Sequence, residues 1–105
     1  MKQINSHLLL IRQELEKLNV WEIKKPKAEL LASQQPFAID TLRATQWLQW
    51  ILIPRMNEIL SSGNKLPTPF SIAPYFEQVY QQQDEYSQLI KLITELDTLV
   101  NELVM

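Results

Sequence analysis

Apolar residues recur along this chain with helical rather than strand periodicity. Ile4, Leu8, Ile11, Leu15 and Leu18 are spaced by four, three, four and three residues, which puts them on one stripe of a helix. Gln13, Glu14, Glu16 and Lys17 occupy its other side. The spacing predicts a first helix over about 3–20, stopped by Lys24-Lys25-Pro26, because a residue before proline avoids the α region. Residues 22–43 are the least regular stretch. Lys27 to Ala32 reads as a short helix and Ser33-Gln34-Gln35-Pro36 as loop, with Phe37 and Ile39 as anchors that tie the loop down. A segment this long without regular structure is either packed against the body or functional.

A second main helix is predicted over 44–62. Leu48, Leu52, Met56, Ile59 and Leu60 share one broad face, while Trp47, Trp50 and Pro54 fall on another. This helix therefore needs cover on two sides. Pro54 lies in its interior, where the ring collides with the carbonyl of Trp50 and no N–H is available, so a kink is expected there. Ser61-Ser62-Gly63-Asn64 forms a stop, with Gly63 suited to a left-handed cap. Leu66-Pro67-Thr68-Pro69 is a stiff connector. A shorter helix follows over 71–82, with Ser71 as N-cap, Pro74 tolerated in the first turn, and Ile72, Tyr75, Phe76 and Val79 on one face. The last helix, 85–103, starts from Asp84 as N-cap. Its stripe is Tyr86, Leu89, Ile90, Ile93, Leu96, Val100 and Leu103. Four amphipathic segments with short proline-rich links predict one all-α domain, a four-helix bundle spanning 1–105.

Composition supports this reading. The single glycine, Gly63, disfavours a fold built on many tight β turns. The absence of cysteine excludes disulfides, thiolate zinc sites and cysteine nucleophiles. The first residues carry no signal-like apolar run, and no stretch approaches a membrane span, so the expected address is the cytoplasm. Net charge is −2, which argues against direct nucleic-acid binding. The charge is unevenly placed. Residues 1–65 hold nine Lys/Arg against six Asp/Glu, a net +3, and residues 66–105 hold one against six, a net −5. The two halves complement each other, or the charges are simply solvated, or the last helix presents an acidic face to a basic partner.

Candidate chemistry is sparse. His7 is the only histidine and Ile4, not Glu, precedes it by three, so a di-metal carboxylate bundle is not expected. One glycine cannot build a phosphate loop, and a Ser-His-Asp triad has only His7 to draw on. Asp40, Glu58 and Asp97 read as solvated or capping carboxylates. No catalytic residue, metal or cofactor is therefore assigned, and an enzyme is not expected. The aromatic helix stands out instead. Trp47 and Trp50 are either core, with 22–43 folded over them, or part of a surface. On the second reading Trp50 and Arg55, with Phe37 and Tyr75, line a groove for a protein partner, since Trp, Tyr and Arg dominate interface energetics. Asp40, Trp47 and Gln49 complete that candidate partner-binding set. A small-ligand pocket between this helix and the 22–43 segment, or a homodimer burying the Trp47/Trp50/Pro54 face, are the alternatives. Lys24, Lys25, Lys27 and Arg43 make only a sparse basic patch.

Gln35-Pro36-Phe37, Asp40-Thr41, Trp47-Leu48-Gln49-Trp50, Ile53-Pro54-Arg55-Met56, Leu66-Pro67 and Ile72-Ala73-Pro74-Tyr75 resemble, in order and spacing, the YqcC-like family of small bacterial proteins. The W-L-Q-W and I-P-R-M runs are the most specific part, and the chain ends match only in helical character. The resemblance implies a helical bundle and a bacterial cytosolic accessory protein associated with tRNA pseudouridine synthase C, itself the implied protein partner. It brings no active site. Such a synthase needs a catalytic aspartate in a much larger, mostly β domain, and Asp40 is not that residue.

Overall fold

A computed structural model describes residues 2–102, and every element among them is helical. In chain order these are α1 (Lys2–Lys17), α2 (Ala28–Leu31), a 3-10 turn (Pro36–Ala38), α3 (Ala44–Trp47), a π turn (Leu48–Leu52), α4 (Ile53–Ser62), α5 (Ala73–Val79), a second 3-10 turn (Asp84–Tyr86) and α6 (Ser87–Glu102). The stretch from Ala44 to Ser62 is continuous, so the four main helices of the bundle are α1, α3–α4, α5 and α6. α1 lies along α6, and α5 also packs on α6.

The stripes drive this assembly. Ile4, Leu8, Ile11 and Leu15 of α1 meet Leu89, Ile93, Leu96 and Val100 of α6, all at most 3% exposed. Leu48 and Met56 from α3–α4 and Phe76 from α5 close the same core. Each such aliphatic side chain removed from water stabilises the fold by roughly 1.5–3 kcal/mol. Leu103, expected to end the α6 stripe, lies outside the described residues.

Several local expectations are replaced by other solutions. α1 stops at Lys17, ahead of the Lys24-Lys25-Pro26 breaker. Asn19 takes a left-handed conformation (φ 62°), and the Val20 N–H bonds the Leu15 carbonyl at 3.0 Å. That is the chain reversal of a Schellman cap, which asparagine tolerates. Ile39, expected as an anchor, is 62% exposed, whereas Ala38 and Leu42 are buried. Phe37 and Ala38 are both left-handed (φ 57° and 48°), and this tight reversal swings the next residue outward.

Pro54 is accommodated not by a bare kink but by a wide turn before it. The Ile53 N–H reaches back five residues to the Leu48 carbonyl, and Pro54 then falls in the first turn of α4, where its missing N–H costs little. Gly63 ends α4 as expected, with φ 74° and its N–H on the Ile59 carbonyl.

α5 is shorter than the predicted 71–82, and Ser71 does not cap it. The cap comes from another helix. Asp97 of α6 accepts from the Ile72 N–H at 3.0 Å and the Ala73 N–H at 2.9 Å, filling the N-cap role through space. Val79 ends the helix 39% exposed, and Tyr80 turns inward in its place. Asp84 likewise makes no cap bond. It opens the 3-10 turn that leads into α6.

Candidate functional site

The irregular segment after α1 crosses the second face of the helix that contains Trp47 and Trp50. Gln49 is 4% exposed on that face. Its amide grips the backbone of Glu22 at both ends: the Glu22 N–H donates to Oε1 at 2.8 Å, and Nε2 donates to the Glu22 carbonyl at 2.6 Å. An isolated segment could not keep those two backbone groups out of water without such partners. The Glu22 carboxylate then collects three more residues. It accepts from Trp50 Nε1 at 2.9 Å, from Gln46 Nε2 at 3.1 Å and from Arg43 Nη2 at 3.2 Å. Gln46 also accepts from the Arg43 N–H at 2.7 Å, which helps close the start of α3.

A second cluster lies beside the first and is aromatic. Phe37 stacks on Tyr75 with ring centres 4.1 Å apart and meets the edge of Trp47 at 4.7 Å. Trp47 in turn leans on Phe76 at 6.2 Å, and Tyr80 stacks on Tyr86 at 3.9 Å. These rings join the irregular segment, α3, α5 and the approach to α6, in the stacked and edge-on geometries that aromatic quadrupoles favour. Burial pushes the Tyr80 hydroxyl above its ordinary range, and the neighbouring Tyr86 adds to the shift. Burial alone does the same for Tyr75.

The sequence-selected residues therefore divide. Phe37, Trp47 and Tyr75 come together, but by packing on one another. Trp50 is half-buried and points its ring N–H at Glu22. Gln49 is internal. Asp40 is exposed and accepts from the Ser33 hydroxyl at 2.5 Å. Arg55 is exposed on α4. Phe37 and Tyr75 stack against each other, and Trp50 is turned to Glu22. Open space near this region lies instead in a groove of about 580 Å3 lined by Glu22, Lys24, Lys25, Pro26, Lys27, Glu29, Leu30 and Gln46. A smaller cleft of about 190 Å3 is lined in part by Trp21, whose ring the Arg12 guanidinium covers at 4.6 Å. Among the described residues no group of three or more His, Asp or Glu side chains is arranged to hold a metal ion. No described helix is long and apolar enough to cross a membrane.

Glu22 and Asn101 escape a reading of the sequence, while Asp97, read as a solvated or capping carboxylate, does cap a helix, though one distant in the chain. A lone glutamate in an irregular stretch looks solvated, and nothing local marks it as the meeting point of the Arg43, Gln46, Gln49 and Trp50 side chains. Asn101 does at the other end what Gln49 does here. It accepts from the Phe70 N–H at 2.9 Å and donates to the Phe70 carbonyl at 2.7 Å. Asp97 is held above its ordinary carboxyl pKa chiefly by burial, against the lowering effect of its two backbone donors.

Comparison with known proteins matches this architecture throughout. A Haemophilus influenzae protein described as uncharacterised is 39% identical over 99 residues, covering 94% of this chain and 93% of its own. The Escherichia coli protein YqcC is 37% identical over 79 residues, covering 75% of this chain and 71% of its own. The solution NMR structure of E. coli YqcC superposes with a TM-score of 0.84 at 30% identity, covering 94% of this chain and 86% of that one. A segment of 65 residues is also 35% identical to part of a Pectobacterium carotovorum tRNA pseudouridine synthase C, covering 62% of this chain but only 17% of that protein. A family model described as tRNA pseudouridine synthase C, DUF446, matches residues 3–99. With that span and those relatives, the chain belongs to the DUF446 family of small, helical, YqcC-like bacterial proteins.

Proposed function

We propose that this protein is a non-catalytic interaction module that assists a tRNA pseudouridine synthase by binding it. The observation that carries the reading is the Pectobacterium protein of that name, in which a segment similar to this chain accounts for 17% of a much longer polypeptide. Two modules on one polypeptide meet at high effective concentration. The same modules on separate chains need a docking surface to meet at all. The side-chain chemistry supports a binding role rather than a reaction. The groups whose pKa values are displaced serve the fold, with Asp97 capping α5 and Tyr75 and Tyr80 stacked among rings. Such a partner implies the bacterial cytoplasm as the place of work.

The test is co-purification of the untagged protein with the tagged tRNA pseudouridine synthase C of the same organism, followed by sizing of the complex. A stable stoichiometric complex, with reduced pseudouridine in tRNA when the gene is deleted, is the expected result. No complex, together with unchanged modification in the deletion strain, overturns the reading.

A further inference from the structure

The groove beside Glu22 combines three features that the fold itself does not use. Lys24, Lys25 and Lys27 are exposed along one wall, and none of them forms an ion pair among the described residues. Of the two carboxylates that line the groove, Glu22 is already paired with Arg43, so Glu29 alone stands against three lysines and a positive surplus remains. Pro26 and Leu30 supply apolar surface within the groove. At its edge Ile23 is 99% exposed, an aliphatic side chain left wholly in water next to the lysines.

This surface is also held in shape before anything binds. Val20 and Trp21 N–H groups both bond the Leu15 carbonyl, Arg12 covers the Trp21 ring, and Gln49 clamps Glu22 at N and O. Ile23 is thus the first residue beyond a pinned stretch. A pre-ordered loop loses less conformational freedom on binding than a mobile one.

We propose that this groove docks an acidic protein segment carrying an apolar anchor that packs against Ile23 and Leu30. The proposal rests on the accessory reading above and assigns that segment to the synthase. Charge complementarity sets the acidic character, and the aliphatic pair sets the anchor. A nucleic-acid backbone fits less well. The rings of Phe37, Trp47 and Tyr75 that would stack bases are packed on one another, while the exposed aliphatic Ile23 and Leu30 suit a protein side chain.

The experiment titrates the tagged synthase into wild-type protein, the triple variant Lys24→Glu/Lys25→Glu/Lys27→Glu, Ile23→Ala, and Lys91→Glu on exposed α6 as control, with folding checked by circular dichroism. Total tRNA is titrated in parallel. The expected result is a loss of about tenfold or more in synthase affinity for the triple variant and for Ile23→Ala, with Lys91→Glu unchanged and wild-type binding weakened by salt and by poly-glutamate. Undiminished synthase binding by the triple variant overturns the groove while the accessory reading stands. Loss of tRNA binding alone makes the surface an RNA contact and overturns the acidic segment. No synthase binding by wild type overturns both readings together.

Discussion

Two irregular stretches of this chain, the one after α1 and the connector before α5, are fastened by the same device and end in opposite conditions. In each, one carboxamide from a helix holds both backbone groups of one residue: Gln49 holds Glu22, and Asn101 holds Phe70. On both sides of Phe70 the chain sends apolar side chains inward. Leu66, Phe70 and Ile72 are 6–7% exposed, and Asp97 caps the helix that follows. Beyond Glu22 the chain turns outward into Ile23, Lys24 and Lys25. The shared clamp teaches that an immobilised backbone is not the same as a buried one. One clamp completes a core, and the other holds a charged, part-apolar edge in water at fixed geometry.

Substitutions at the two ends should separate these roles. Phe70→Ala removes a buried ring from the closed end and should cost about 3–5 kcal/mol in urea unfolding. If it costs less than the truncation of Gln49, the connector is not the stabilising end. Gln49→Ala leaves the Glu22 N–H and carbonyl without partners and should cost about 1–3 kcal/mol. Hydrogen exchange at the Glu22 amide should accelerate while that of the Phe70 amide stays slow. Equal acceleration at both would mean that the two stretches open as one unit.

Asp97 sharpens the closed end through pH. Its carboxyl is raised above 3.8 in the folded chain, so between 3.8 and the raised value the native state binds more protons than the unfolded state. Stability at this site therefore rises as pH falls through that window and declines as pH climbs out of it. The difference between wild-type and Asp97→Asn unfolding curves should carry this slope, and parallel curves would deny it. Asp97→Ala should in addition cost about 1 kcal/mol through loss of the cap. The smallest effect is expected from Pro54→Ala. The wide turn before it already absorbs the ring, so stability should shift by less than about 1 kcal/mol. A larger loss would show that the proline holds the π turn in place. Unchanged stability with weakened synthase binding would tie the helix shape to docking.

Much of the bundle was legible in the order of residues. The α1 and α6 stripes, the continuous helix over 44–62 and the Gly63 stop follow from periodicity and backbone preference, which act within a few residues. The aromatic set was legible only as a set. Phe37, Trp47 and Tyr75 stood out by type, yet their mutual stacking depends on two left-handed residues at 37 and 38 that no local pattern announces. Glu22 was illegible for the same reason, and Asp97, read as a solvated or capping carboxylate, was legible as a cap but not in which helix it caps. Their partners lie 21 to 28 and 24 to 25 residues away, and a carboxylate carries no sign of which distant donors it will meet.

The sequence by itself determined that the chain is helical, which faces are apolar, and that the helix around Trp47 needs cover on two sides. Short-range sterics and the 3.6-residue period are sufficient for that. Only the tertiary structure decided what supplies the cover, and where the surplus charge and Ile23 are left facing water. Those outcomes depend on hydrogen bonds between distant residues, which form only once packing has brought the helices together.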